Sequence, residues 1–167
     1  MPAPFVEIGL VRYTAEQRQL WKDGYLWLHW FDKYPQLFDG RDLDLVKTQA
    51  VLNYHFAEWL AAIVLYSSTG YYSLVSKYEF SNHQRKHALL KELVPTDLYE
   101  AIIQNRDSGG PQCPDLLMYH PDKSNWFFCE VKGPGDRMRK PQRDYFERLS
   151  AISHKTIRVI KLRELST

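Results

Sequence analysis

Two acidic residues and a lysine stand at the ends of two short apolar runs. Asp115 precedes the run Leu116–Tyr119. Glu130 and Lys132 close a second run, which begins at Trp126. Proline, aspartate, serine and asparagine lie between the runs, and two apolar runs joined by such residues predict a β-hairpin. The start of one hairpin strand lies beside the end of the other, and strand residues two apart share a face. The sequence therefore predicts that the three side chains come together.

Together, these side chains could hydrolyse a phosphodiester. Two converging carboxylates repel each other and are costly to desolvate. A hard divalent cation relieves both problems, and Mg²⁺ favours one or two carboxylates with water and phosphate oxygens as its other ligands. A lysine beside such a site can orient or deprotonate a water, or neutralise charge that builds up on a phosphate. The combination predicts metal-assisted hydrolysis of a phosphodiester.

The same residues carry a resemblance to a nuclease family. Pro114-Asp115 followed by Glu130-Val131-Lys132 is similar to the PD-(D/E)xK motif. The longer run Glu130–Arg137 (EVKGPGDR), with Gln142 downstream, resembles the VRR-NUC branch of that superfamily. The resemblance extends over Gly109–Leu162, about a third of the chain.

The resemblance implies a role for each matched residue. Asp115 and Glu130 would bind Mg²⁺ or Mn²⁺, joined by the carbonyl oxygen of Val131. Lys132 would position or activate the attacking water, and Gln142 would hold Lys132 or the water in place. The implied substrate is branched or structured DNA, such as flaps and junctions. Stand-alone members are thought to pair on four-way junctions, which implies a homodimer, although the sequence carries no dimer signature of its own.

A lone carboxylate adds a further candidate. Glu58 is the single charged residue between Thr48 and Ser76, a stretch that predicts a buried helix. A carboxylate there is costly unless it is paired or binds a metal. The family often carries an acidic residue on its first core helix, so Glu58 is predicted to assist catalysis, as a ligand or through water. The alternatives are a buried ion pair or a thin exposed strip.

Basic residues follow the motif. Arg137, Arg139, Lys140 and Arg143 form a cluster. Because the arginine fork matches phosphate oxygens, the cluster is a candidate nucleic-acid-binding surface. A solvated surface is the alternative. Pro141 suits the first turn of a helix, and the apolar residues after it recur at helical spacing.

The other elements give the fold class. The predicted order is helix, strand, inserted helices, strand, strand, helix, strand. This order predicts an α/β fold of the restriction-endonuclease-like type, with a mixed central sheet flanked by helices. Residues 1–47 are predicted to form an N-terminal helical extension packed on the core. Residues 48–167 would form the nuclease domain, with residues 81–104 as a helical insertion.

Within the N-terminal part, three segments have specific predictions. Met1–Tyr13, with two early prolines, is predicted to be an irregular surface segment. Ala15–Lys33 is predicted to be one helix, after a capping box that starts at Thr14. Phe38–Leu45, with a glycine and three aspartates, is predicted to be a connector.

Composition limits the function classes. The 167 residues suit one domain, and a net charge of +2 means that a nucleic-acid surface must be local. The chain has no apolar run of membrane-spanning length and no signal-peptide pattern, so we expect no membrane association. Cys113 and Cys129 are predicted to make neither a disulfide scaffold nor a four-ligand zinc site. They favour a reducing, intracellular location: the cytoplasm, or the nucleus in a eukaryote.

Three alternative functions stay open from the sequence. A catalytically silent DNA-binding module is disfavoured by the intact set of Asp115, Glu130 and Lys132. A protein-interaction subunit of a larger repair or phage complex could use the aromatic N-terminal half as its contact surface. A sequence-specific restriction endonuclease would cut plain duplex at one site, whereas the preferred prediction is cleavage that follows DNA shape.

Overall fold

A mixed β-sheet forms the centre of the molecule. The computed structural model describes residues 3–52 and 54–166, and within them the chain forms one five-stranded sheet of order β1-β5-β4-β3-β2. β3 is antiparallel to β2 and β4, whereas β5 is parallel to β4 and β1. The strands are β1 (Phe5–Tyr13), β2 (Tyr72–Val75), β3 (Leu116–Tyr119), β4 (Trp126–Lys132) and β5 (Ile157–Glu164).

Helices cover both faces of this sheet, as the predicted fold class requires. The described α-helices are α1 (Ala15–Lys22), α2 (Tyr25–Lys33), α3 (Gly40–Gln49), α4 (Phe56–Thr69), α5 (Gln84–Leu93), α6 (Thr96–Asp107) and α7 (Lys140–Ser153). Short 3-10 turns lie at Pro35–Leu37 and Ala50–Leu52. None of these described helices has the length and apolar character needed to cross a membrane.

Strand β4 shows how the two faces differ. Phe127, Cys129 and Val131 pack with α1–α4 on one side, here called the α4 face. Phe128 packs with α5–α7 on the other side, here called the α7 face. Because strand side chains alternate, Glu130 also points to the α7 face. β4 is buried on both faces up to its carboxyl end, where the polar site residues begin.

The prediction for the N-terminal segment is wrong. Phe5–Tyr13 is an edge strand of the sheet; Met1 and Pro2 lie outside the described residues. The sequence pattern is weak because an edge strand buries few side chains: only Val11 and Tyr13 of β1 are buried. An irregularity between Glu7 and Gly9 also interrupts the alternation. The rest of the predicted extension, α1–α3, is helical and packs on the α4 face.

Two helix predictions in the same region also need correction. The segment predicted as one helix, Ala15–Lys33, forms two helices that are separated at Gly24. The φ of Gly24 is +88°, a conformation that favours glycine. The capping box at Thr14 is confirmed. The predicted connector contains helix α3, since Asp39 and Asp42 form a capping box at its start. The aspartates that favoured a loop therefore begin a helix.

Candidate active site

The hairpin brings the two acidic residues together, as the spacing predicts. Leu116 pairs with Cys129, so Asp115 lies beside Glu130. The Asp115 backbone N–H donates to Glu130 Oε1 at 3.0 Å, and the Val131 N–H donates to Asp115 Oδ2 at 2.9 Å. These two hydrogen bonds fix both carboxylates at the carboxyl end of β4.

Lysine and glutamine complete the group. Lys132 Nζ lies 3.0 Å from Glu130 Oε2 and donates to Gln142 Oε1 at 3.3 Å. Gln142 Nε2 donates to Glu130 Oε2 at 2.7 Å. Gln142 is on the first turn of α7, which Tyr145, Phe146 and Leu149 anchor in the core. Asp115, Glu130, Lys132 and Gln142, here called the site residues, are therefore directly linked.

Glu58 belongs to the same acidic environment. It lies on the first turn of α4 and is half-buried. Burial raises the pKa of Glu58, and the carboxylates of Glu130 and Asp136 raise it further. Burial, with the carboxylates of Glu130 and Glu58, also raises the pKa of Asp115 well above its usual range. The cluster therefore carries more negative charge than this half-buried setting favours.

The chain before Asp115 is held by residues that the sequence pattern did not single out. Tyr78 Oη donates to Pro114 O at 2.6 Å, and the Cys113 N–H donates to the buried carboxylate of Glu79 at 2.8 Å. The Ser76 N–H donates to Asp115 O at 2.8 Å. Glu79 is 34 residues from Cys113, and no local spacing links them.

The turn after Lys132 positions the basic cluster. The Gly133 N–H donates to Asp136 Oδ2 at 2.9 Å, and the Asp136 N–H donates to Gly133 O at 3.1 Å. A Cβ on Gly133 would lie 3.0 Å from the same Asp136 oxygen, so the tight turn favours glycine. This turn directs the chain from β4 into the segment that carries Arg137 and Arg139.

A cleft of about 520 Å³ opens at the site. Asp115, Lys132 and Gln142 line it, together with Arg137 and Arg139. The two other basic residues of the predicted surface have contacts elsewhere. Lys140 Nζ lies 2.7 Å from Asp144, and the Arg143 guanidinium lies 5.6 Å from the centre of the Phe5 ring. Their role in binding nucleic acid stays a prediction.

The donor set fits a hard divalent cation. Within residues 3–52 and 54–166, no three His, Cys, Asp or Glu side chains are grouped closely enough to hold a metal ion. Asp115 and Glu130 nevertheless form an adjacent carboxylate pair, which suits Mg²⁺ because this ion takes its other ligands from water and phosphate. A cation would offset the charge that raises the pKa of Asp115.

Comparisons with known proteins show which family the chain belongs to. Among solved structures, it is similar to the crystal structure of paFAN1 bound to 2nt 5′ flap DNA with gap, at 18% sequence identity and a TM-score of 0.32. The similarity covers 68% of this chain and 25% of that chain, so this chain spans about a quarter of that protein. No curated protein matches the sequence. The VRR-NUC domain family matches residues 55–159, which include Glu58 and all four site residues. The match covers more than half of the chain, which therefore belongs to the VRR-NUC family of nuclease domains.

Proposed function

We propose that this chain hydrolyses DNA phosphodiester bonds with Mg²⁺ or Mn²⁺ as its cofactor. The arrangement of Asp115, Glu130, Lys132 and Gln142 carries the proposal. The Glu130 carboxylate, the Lys132 ammonium group and the Gln142 amide contact one another directly, and the Asp115 backbone N–H donates to the Glu130 carboxylate, beside a cleft of about 520 Å³. This combination suits metal-assisted attack of water on a phosphodiester.

The chemistry of each side chain suggests its role in the proposed reaction. Asp115 and Glu130 would hold the metal ion, with the carbonyl oxygen of Val131. A bound ion would polarise the phosphoryl oxygens. Lys132, held in place by Gln142, would orient the water or neutralise charge that develops on the phosphate. The water oxygen forms a new bond to phosphorus as one ester P–O bond breaks, giving a phosphate monoester and a free hydroxyl.

The residues around this group support a DNA substrate. Arg137 and Arg139 line the cleft and would contact phosphate groups on either side of the scissile bond. Glu58 would assist as a ligand or through water. The resemblance of the segment from Glu130 to Arg137 implies branched DNA, in repair, recombination or phage replication. A homodimer stays a prediction from that resemblance.

Cleavage of a labelled DNA panel tests the proposal. The panel contains plain duplex, single strand, 5′ flap, 3′ flap and four-way junction, each with Mg²⁺, Mn²⁺ or EDTA. Lys132→Ala is compared with Lys47→Ala, a matched control because Lys47 is exposed on α3. We expect metal-dependent cutting of a branched substrate by the wild type and by Lys47→Ala, and its loss in Lys132→Ala.

Other results would separate the alternatives. Cutting of plain duplex at one sequence would favour a restriction endonuclease. DNA binding by folded protein without cutting under any metal would favour a silent binding module. Neither binding nor cutting would favour an interaction subunit that needs a partner, and it would overturn the proposal for the isolated chain.

A further inference from the structure

Two strands extend past the active site. The last pair between β4 and β5 is Lys132 with Lys161. The pairing of β5 with β1 continues to Glu164 and Tyr13. Because these three strands are parallel, residues 10 and 161 lie level with Lys132, and residues 11–13 and 162–164 continue beyond the end of β4. Residues 10–13 and 161–164 together are here called the ledge.

The ledge presents its basic side chains to the same face as the site residues. Val11, Tyr13 and Leu162 are buried in the core on the α4 face. Strand side chains alternate, so the intervening Arg12 and Arg163 point to the α7 face, as Glu130 and Lys132 do. Lys161, which also precedes Leu162, points to that face as well. Arg12, Lys161 and Arg163 are all exposed.

The positive charge on this face is poorly neutralised. Arg12 and Arg163 are directly opposite each other, and opposed like charges destabilise a strand pair. Within residues 3–52 and 54–166, neither arginine has an acidic side chain within ion-pairing distance. Lys161 pairs with Glu7 at 3.3 Å. A polyanion would relieve the repulsion between the two arginines.

The acidic residue of the ledge does not offset this charge. Glu164 follows the alternation to the α4 face, where its carboxylate lies 3.9 Å from the Arg18 guanidinium. The α7 face of the ledge therefore carries cations and one exposed aliphatic side chain, Leu10. The single aromatic residue of the ledge, Tyr13, is buried. Without an exposed ring, this face lacks the aromatic platform on which single-strand sites stack unpaired bases.

We propose that the ledge binds the sugar-phosphate backbone of a double-stranded DNA arm beside the scissile bond. The inference rests on the proposed nuclease function and extends it to residues 12, 161 and 163, which lie outside the family match at residues 55–159. Neighbouring strands are about 5 Å apart, so the cations of β5 and β1 continue sideways from Lys132 over about 10 Å. They would fix the position of the duplex arm without reading its bases.

Binding of labelled DNA over a range of salt concentrations tests this assignment. The probes are a blunt duplex, a 5′ flap and a single strand, bound in EDTA so that none is cut. The variant is Arg12→Ala/Arg163→Ala. The control is Lys33→Ala/Lys47→Ala, which removes the same charge from exposed positions on α2 and α3, on the α4 face.

We expect the arginine double variant to lose duplex affinity while the control keeps it. Two lost phosphate contacts should weaken binding about 60-fold near 0.1 M salt and reduce the slope of log K against log salt by about 1.8. The arginine variant should unfold at the same temperature as wild type or higher. Arg12→Lys/Arg163→Lys should recover most of the affinity.

Three results would count against the ledge. If the arginine variant binds duplex DNA with the same affinity and salt slope as the wild type, the ledge inference is overturned. The proposed nuclease function is not affected by that result. An equal loss of single-strand affinity would overturn the duplex assignment. Wild-type protein that neither binds nor cuts any probe would instead overturn the proposed function, and the inference with it.

Discussion

At the scale of single residues, the orientation of the Gln142 side chain follows from its two neighbours. The Glu130 carboxylate accepts hydrogen bonds, whereas the Lys132 ammonium donates them. The amide nitrogen therefore faces Glu130 and the amide oxygen faces Lys132. Gln142 holds the lysine beside the carboxylate without changing the charge of the site.

This arrangement predicts that Gln142 acts as a positioning residue. We expect Gln142→Ala to slow cutting at saturating DNA by about 10- to 100-fold, as is typical when a residue that orients a site is removed, with little change in DNA affinity. Single-turnover cleavage measures the rate. Gln112→Ala is the control, because Gln112 lines the same cleft and is exposed. Wild-type cutting by Gln142→Ala would contradict this role.

The acidic cluster gives a prediction about stability. Burial and neighbouring carboxylates raise the pKa of Asp115, so the folded chain binds the proton more tightly than the unfolded chain. The stability linked to this proton is present below the unfolded pKa and is lost as pH rises through the folded pKa. The metal-free protein should therefore lose stability as the pH rises from acidic toward neutral, because ionising Asp115 costs more in the folded chain than in the unfolded one.

Asp115→Asn removes that charge and keeps an oxygen for the Val131 N–H. In EDTA at neutral pH, we expect the free energy of unfolding to rise by about 1 kcal/mol. Added Mg²⁺ should stabilise the wild type but not the variant. Urea unfolding measures both effects, with the exposed Asp44→Asn as control. Equal stabilisation of wild type and Asp115→Asn by Mg²⁺ would contradict a metal site here.

At the scale of elements, the turn after β2 stores backbone strain beside the site. Ser76 and Lys77 have φ of +49° and +61°, a region that favours glycine. We expect Ser76→Gly to raise the free energy of unfolding by about 1 kcal/mol, because glycine adopts this conformation without a steric penalty. Ser81→Gly should not raise the free energy of unfolding, because φ of Ser81 is not positive. The two variants are compared by their urea midpoints, and equal midpoints would contradict the strain.

The elements also differ in how far the sequence predicts them. The hairpin β3–β4 and helix α7 are confirmed, because their apolar residues are buried at the expected period and their turns use typical residues. β1 was not predicted, since it is a mostly exposed edge strand. Glu79 was missed for another reason: its partner Cys113 is brought near by the tertiary fold, which a single sequence does not encode in any local spacing.

At the scale of the whole molecule, a buried ion pair connects the N-terminal helices to the rest of the fold. Lys86 of α5 contacts Asp42 of α3 and donates to Val75 O at the end of β2, at 2.7 Å. Both charged side chains are almost fully buried, at 1% and 3% exposure. The predicted boundary between the N-terminal extension and the nuclease domain, at residue 47, therefore falls between the two residues of one buried ion pair.

Removing one partner should destabilise the whole chain. We expect Asp42→Ala to lower the free energy of unfolding by about 3–5 kcal/mol, because it leaves the Lys86 charge buried without a counterion. Asp42→Ala/Lys86→Met should recover part of this loss. Denaturant unfolding, with the exposed Asp44→Ala as control, gives the comparison. A loss below about 1 kcal/mol for Asp42→Ala would fit an exposed pair and contradict the buried one.

The most direct test of the central claim is the single-turnover cutting rate of the preferred DNA as a function of Mg²⁺. Wild type is compared with Asp115→Asn, the variant expected to be as stable or more stable without metal. We predict a wild-type rate that rises with Mg²⁺, saturates and disappears in EDTA, and no cutting by folded Asp115→Asn. Equal wild-type cutting in EDTA, or wild-type rates in Asp115→Asn, would contradict a metal-dependent nuclease site at these residues.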